Sequence, residues 1–265
     1  MRLKRIGRLA GLAALAAAAP GMAAAHMPYL LPNMFDAGQR DHVTVQGGFA
    51  EEAFVPEVAM KSDAFHVRGP GGATPIAQPI YLRDLTVFEA GLPAAGTYRI
   101  SSGERAGRKG KMYKAADGRW TMAGEGGQPP AGVELVDVQS MTLAEVYVTR
   151  GAPSTQALAP TGKALELKPV THPSEIYAKA PARFELLFEG KPVSGASVEV
   201  FRAAGLYDGR KLAAQAVTGA DGGFSITPPD AGTYLALIRH RTAAPAGADT
   251  PFRSYSYTLT FEATE

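Results

Sequence analysis

The sequence predicts an all-β protein made of two β-sandwich domains behind a cleavable leader, and three observations carry that expectation. From His42 onward, short runs alternate apolar and polar residues, the period that a strand with one buried face imposes. The runs close on Gly, Pro and Asp-Gly or Ser-Gly pairs, which set turns. No stretch holds a helical period long enough to compete. The 30 Gly and 20 Pro among 265 residues fall between the runs without a collagen-like period, and a 46% hydrophobic content is too high for a disordered chain.

In chain order, the first element is the leader. Arg2, Lys4, Arg5 and Arg8 precede an apolar run from Leu9 to Ala19, and Ala23 and Ala25 satisfy a small-x-small cleavage pattern. Residues 1–25 are therefore expected to be a signal peptide and the mature protein to be periplasmic. The apolar run falls well short of the roughly 20 residues that a membrane-spanning helix takes. No later segment reaches that length without charge or Pro, so no transmembrane segment is expected in the mature chain. Cleavage removes four of the 27 basic groups and no acidic one, so 23 face 25 acidic groups and the balance becomes −2 in place of +2. That balance leaves no electrostatic footing for nucleic acid as a partner.

The strand runs follow: HVTVQ, AFHVR, LTVFEA and TYRIS, then VELVDVQ and AEVYVTR, then ALELKPV, RFELLFEG, SVEVFRA, FSITPP, TYLALIRH and SYTLTFE. Segment 103–120 interrupts them, gathering Arg105, Arg108, Lys109, Lys111, Lys114 and Arg119 against Glu104 and Asp117, and is expected as an exposed hairpin. GAPSTQALAPTGK, at 151–163, is rich in Pro, Gly, Ser and Thr and has no periodicity. It divides the mature chain into an N-terminal domain 26–155, a linker 156–164 and a C-terminal domain 165–265. LPAAGTYRI at 92–100 and PPDAGTYLALI at 228–238 form a short internal repeat, in which a turn feeds a strand headed by tyrosine.

The absence of Cys excludes disulfides, thiolate metal sites and a cysteine nucleophile. There is no Gly-x-Ser-x-Gly elbow and no phosphate-binding glycine loop, and the acidic stretch Glu51, Glu52 and Glu57 does not by itself make a glycosidase pair, so no enzyme is predicted. The histidines carry the remaining chemistry. Cleavage after Ala25 makes His26 the first residue, offering an α-amine and the imidazole Nδ1 to one metal ion. Such nitrogen donors suit Cu(II) or Ni(II), and the same donors accept Zn(II) or Co(II). His172 in a Thr-His-Pro loop, His240 at a strand end and His66 near another are the candidate companions, while His42 shares a polar strand face with Thr44 and Gln46. Asp208 and Asp221 precede Gly in turns and lack the carboxylate spacing of a calcium loop.

Gly190, Pro192, Gly195, Ala196 and Val198, then Asp221 with Gly222, then Gly232 with Tyr234, resemble the prealbumin-like and carboxypeptidase-regulatory-like sandwich domains. The resemblance implies immunoglobulin-like or prealbumin-like sandwiches, which hold and present ligands. Over nearly the whole mature chain, HMPYLLPNMF, VAMKSDAFHVRGPGG, SMTLAEVYVTRGAPS and ELKPVTHPSEIYA resemble a bacterial periplasmic family labelled as a cobalt or nickel uptake component. That resemblance implies a nickel- or cobalt-binding or delivery protein, an inner-membrane metal transporter as partner, and recurrent histidines at the positions of His26 and His172. The alternative is a metal-free interaction module that scaffolds an envelope complex; an oxidative copper site at a terminal histidine is a third reading.

Overall fold

The computed structural model describes residues 26–116, 118, 120–124, 128–209 and 211–265. The expected leader, Asp117 and Arg119 of the basic segment and the side chain of Asp208 lie outside the described residues. The strands are β1 (Met27–Pro32), β2 (Asp36–Gly38), β3 (His42–Ala50), β4 (Val58–Ala59), β5 (His66–Gly69), β6 (Gly72–Pro75), β7 (Ile80–Tyr81), β8 (Thr86–Gly91), β9 (Gly96–Ser101) and β10 (Arg105–Lys114). They continue as β11 (Trp120–Met122), β12 (Val136–Arg150), β13 (Leu165–Pro169), β14 (Ala182–Phe188), β15 (Lys191–Pro192), β16 (Ser197–Arg202), β17 (Leu212–Val217), β18 (Gly223–Ile226), β19 (Gly232–Ala243) and β20 (Phe252–Ala263). The α-helix among the described residues is a single turn, Gly205–Asp208. The all-β expectation holds.

Three sheets make two sandwiches that share a layer. An eleven-stranded sheet runs β17-β16-β19-β20-β12-β9-β5-β6, with β10 and β2 also paired to β12 and β11 to β10. A five-stranded sheet, β1-β3-β8-β7 with β4 beside β3, and a four-stranded sheet, β13-β14-β15 with β18 beside β14, pack against it. Strand alternation decides which face each covers. On β12, Ala144, Val146 and Val148 enter a core with Leu30, Val45, Phe88 and Ile100, whereas Tyr147 enters one with Leu167, Phe184 and Phe261. Successive side chains point to opposite faces, so the two smaller sheets lie on opposite sides of the shared one.

The backbone ladder does not stop at the expected linker. β12 pairs in parallel with β20 from Val138↔Phe252 to Val146↔Thr260. β19 is buried on both faces: Tyr234, Ala236 and Ile238 join the C-terminal core, and Leu235 and Leu237 pack on Met27 and Tyr29 of β1. Residues 156–164 are themselves packed down. A 3-10 turn at Gln156–Leu158 buries Ala157, the Ala159 carbonyl accepts from Arg68 at 3.2 Å, and the Glu166 carboxylate accepts the backbone N–H groups of Thr161, Gly162 and Lys163.

The internal repeat is a repeat of geometry. Tyr98 donates its hydroxyl hydrogen to the Ala94 carbonyl and Tyr234 to that of Asp230, each at 2.7 Å, so both hydroxyls close their own turn four residues back. Gly96 and Gly232 enter these strands at φ +145° and +149°, a backbone that side chains rarely tolerate. The Asp-Gly hairpin is confirmed at Gly222 (φ +75°), and Asp221 spends its carboxylate on the Gly223 N–H at 2.9 Å.

Candidate metal centre

His26 stands one residue before β1, and pairing of Met27 with Ala50 sets it opposite Glu51, the residue that follows β3. β3 then turns back into β4, with Phe49 opposite Val58 and the Glu57 N–H donating to the Phe49 carbonyl at 3.0 Å. Glu51 and Glu57 thus sit at the two ends of one tight connection. Phe54 holds that connection down: its φ is +67°, and its ring meets Tyr29 edge-on at 5.5 Å. β1 is equally fixed, since Met27 and Tyr29 are buried and the Pro28 carbonyl accepts from Thr258 Oγ1 at 2.7 Å.

The outcome is a cluster in which one donor atom each from His26, Glu51 and Glu57 lies within 4.8 Å of the others. Glu57 bridges it: Oε2 is 2.8 Å from His26 Nε2, and Oε1 accepts the Glu51 N–H at 3.1 Å. The side chains of His26 and Glu57 are 44% and 40% exposed, so an ion has access. The donor set, one imidazole and two carboxylates with the α-amine that cleavage would add, fits Ni(II), Co(II), Zn(II) or Cu(II).

None of His66, His172 and His240 belongs to that cluster. His172 uses both ring nitrogens structurally: Nδ1 meets Ser174 Oγ at 2.7 Å and accepts its N–H at 3.2 Å, and Nε2 lies 3.2 Å from Thr97 Oγ1 and from the Ser154 carbonyl. It ties the start of a 3-10 turn, Pro173–Glu175, to β9. His240 faces Phe188, ring centroids 4.9 Å apart, and burial pushes its pKa below the ordinary value. The His66 Nδ1 is 2.9 Å from the Ala64 carbonyl. His42 lies beside Asp41 at 2.9 Å. The sequence signal for the carboxylates was the acidic stretch after β3, whose proximity to residue 26 depends on the β1–β3 register.

Two clefts border these residues. One, of about 520 Å³, opens beside His26 and is lined by Phe49, Arg105, Arg108, Ser140 and Thr142. The other, of about 900 Å³, lies where residues 160–166 cross β9 and β12. Arg99 lines it at 2% exposure, with Glu145 at 3.8 Å and Glu166 at 3.7 Å. Burial works against the charge on Arg99, but Glu145, Tyr147, Tyr257 and Glu166 outweigh it and hold the guanidinium protonated. Glu145 accepts the Tyr257 hydroxyl at 2.8 Å, and Glu166 is saturated by the loop N–H groups, so this cluster reads as the electrostatic pin between the two sandwiches.

Residues 23–242 match the family described as a domain of unknown function, DUF4198. The chain belongs to the DUF4198 family. No curated protein matches this DUF4198 protein. Among solved structures it is similar to the D0-D1 domain of intimin, at 11% identity and a TM-score of 0.23 over 89% of this chain and 97% of that one. It is also similar to the Escherichia coli adhesin FdeC, at 15% identity and a TM-score of 0.24 over 92% of this chain and 65% of that one. The trypsin-activated alpha-2-macroglobulin from Escherichia coli is a third, at 10% identity and a TM-score of 0.24 over 93% of this chain and 16% of that one. Likenesses of this size carry no argument about what the DUF4198 protein binds.

Proposed function

We propose that this DUF4198 protein is a periplasmic module that binds a transition metal, nickel or cobalt first, and delivers it toward an uptake system in the inner membrane. The observation that supports the reading is the meeting of His26 with Glu51 and Glu57 at the residue the leader would expose on cleavage. The metal would take the α-amine and imidazole of His26, with the carboxylates as ligands or as the groups that orient the ring. In the amine chelate Nδ1 is the ligand, and Nε2–H then donates to Glu57, the outer carboxylate that fixes ring and tautomer in many metal sites.

The second reading, a metal-free envelope scaffold, draws support from the exposed apolar side chains Ile80, Tyr81 and Leu82 on and beside edge strand β7. Titration calorimetry of Ni(II) into the exported protein and into a form with one extra residue before His26 separates the readings. The terminal chelate requires weaker binding by the extended form. Equal affinity overturns the terminal chelate, and binding by neither form favours the scaffold.

A further inference from the structure

The cleft beside His26 has a composition that a bare cation does not call for. Its lining contains no Asp or Glu, and Arg105, Arg108, Ser140 and Thr142 are among the residues that line it. Arg105 is fixed from two sides: Nε donates to the Lys61 carbonyl at 2.8 Å, and the guanidinium lies 5.4 Å from the centroid of the Phe49 ring. Arg108 sits in a bulge where the β10–β12 register shifts between Ala106 and Lys109. Bulges re-aim side chains beside sites, and Gly107 lets the strands approach there, since a Cβ on it would come within 3.3 Å of the Ser140 Cβ. Lys109 and Lys111 of the same strand are paired with Asp249 and Asp137, whereas Arg108 has no ion-pair partner among the described residues.

We infer that the cargo is a metal complexed by a small polycarboxylate, held with its metal at His26 and a free carboxylate on Arg108 and Arg105; this rests on the metal reading above. Glu51 and Glu57 balance the two charges of a dication at His26, so the guanidiniums of Arg105 and Arg108 leave an excess of positive charge that a chelator's free carboxylate would offset. The planar guanidinium matches a carboxylate in a two-bond fork. A cleft of about 520 Å³ is within the size of small-ligand sites. The Ser140 hydroxyl can donate to a remaining oxygen of such a ligand, whereas Thr142 Oγ1 donates to the Arg105 carbonyl at 3.5 Å.

The test uses the exported protein with three probes: Ni(II) alone, citrate alone and the Ni(II)–citrate complex, with radiolabelled citrate followed by equilibrium dialysis. Arg108→Gln should weaken binding of the complex about tenfold, the worth of a charge-assisted hydrogen bond, while Ni(II) alone binds as well as before or better. His26→Ala should lose Ni(II) yet keep weak citrate retention that depends on Arg108. Complex binding unchanged in Arg108→Gln, or nickel taken up with citrate left outside, overturns the proposal. If nickel binds in neither form, the metal reading falls; Arg108-dependent citrate retention then still supports the anion half of the cleft, and its loss overturns that as well. Far-ultraviolet circular dichroism of the variants verifies that they are folded.

Discussion

Glu57 grips His26 with one carboxylate oxygen and the backbone of Glu51 with the other, at 2.8 and 3.1 Å, so the ring of the candidate metal ligand is oriented by the same residue that closes the β3–β4 turn. Glu57→Gln keeps the size of the group and removes its charge. It should lower nickel affinity roughly 10- to 100-fold, the usual cost of losing an orienting carboxylate. Calorimetry reads this directly, and an unchanged affinity would remove Glu57 from the site.

His240 gives the fold an acid sensitivity that is separate from the metal. Its pKa is lowered by burial, so below the unfolded imidazole value of about 6.5 the unfolded chain binds the proton that the folded chain refuses. Stability contributed there is complete at neutral pH and is lost as pH falls from that value toward the lowered one. His240→Phe, packed against Phe188, should flatten the fall in thermal midpoint between pH 7 and pH 5.

The two sandwiches share one sheet and should therefore unfold as one unit. Leu237 is buried against β1 of the other half, and Leu237→Ala should cost about 2–5 kcal/mol. Calorimetric scans should show one transition for the whole chain, lowered as a whole by this variant. Residues 165–265 alone would expose the β20 edge that β12 covers and should aggregate. Two separate transitions would contradict the shared ladder.

Arg99→Met leaves Glu145 and Glu166 buried without their counter-charge. The expected loss is about 3–5 kcal/mol at neutral pH, as for other broken buried ion pairs. Urea titrations of the variant and the unaltered protein at neutral pH measure the loss.

Features carried by neighbouring residues were legible in the chain itself. The alternation of Val43, Val45, Val198 and Val200, the Asp221-Gly222 turn and the paired Ala-Gly-Thr-Tyr turns depend on contacts a few residues apart, and the structure has them where the pattern put them. The companions of His26 were not legible. Glu51 and Glu57 reach it only through the register of β1 on β3, and a slip of one residue would turn them to the other face.

From sequence alone came the all-β class, the strand runs, the local turns, the expected exposure of His26 by cleavage and the acidic stretch that follows β3, because backbone periodicity and turn chemistry act locally. Tertiary structure alone decided that His172 would be spent on Thr97 and Ser154, that carboxylates would stand beside His26, and that β12 and β20 would join the halves over a separation of more than a hundred residues. The physical reason is that pairing between distant strands is chosen by the fit of two whole faces, a property no short stretch of either strand contains.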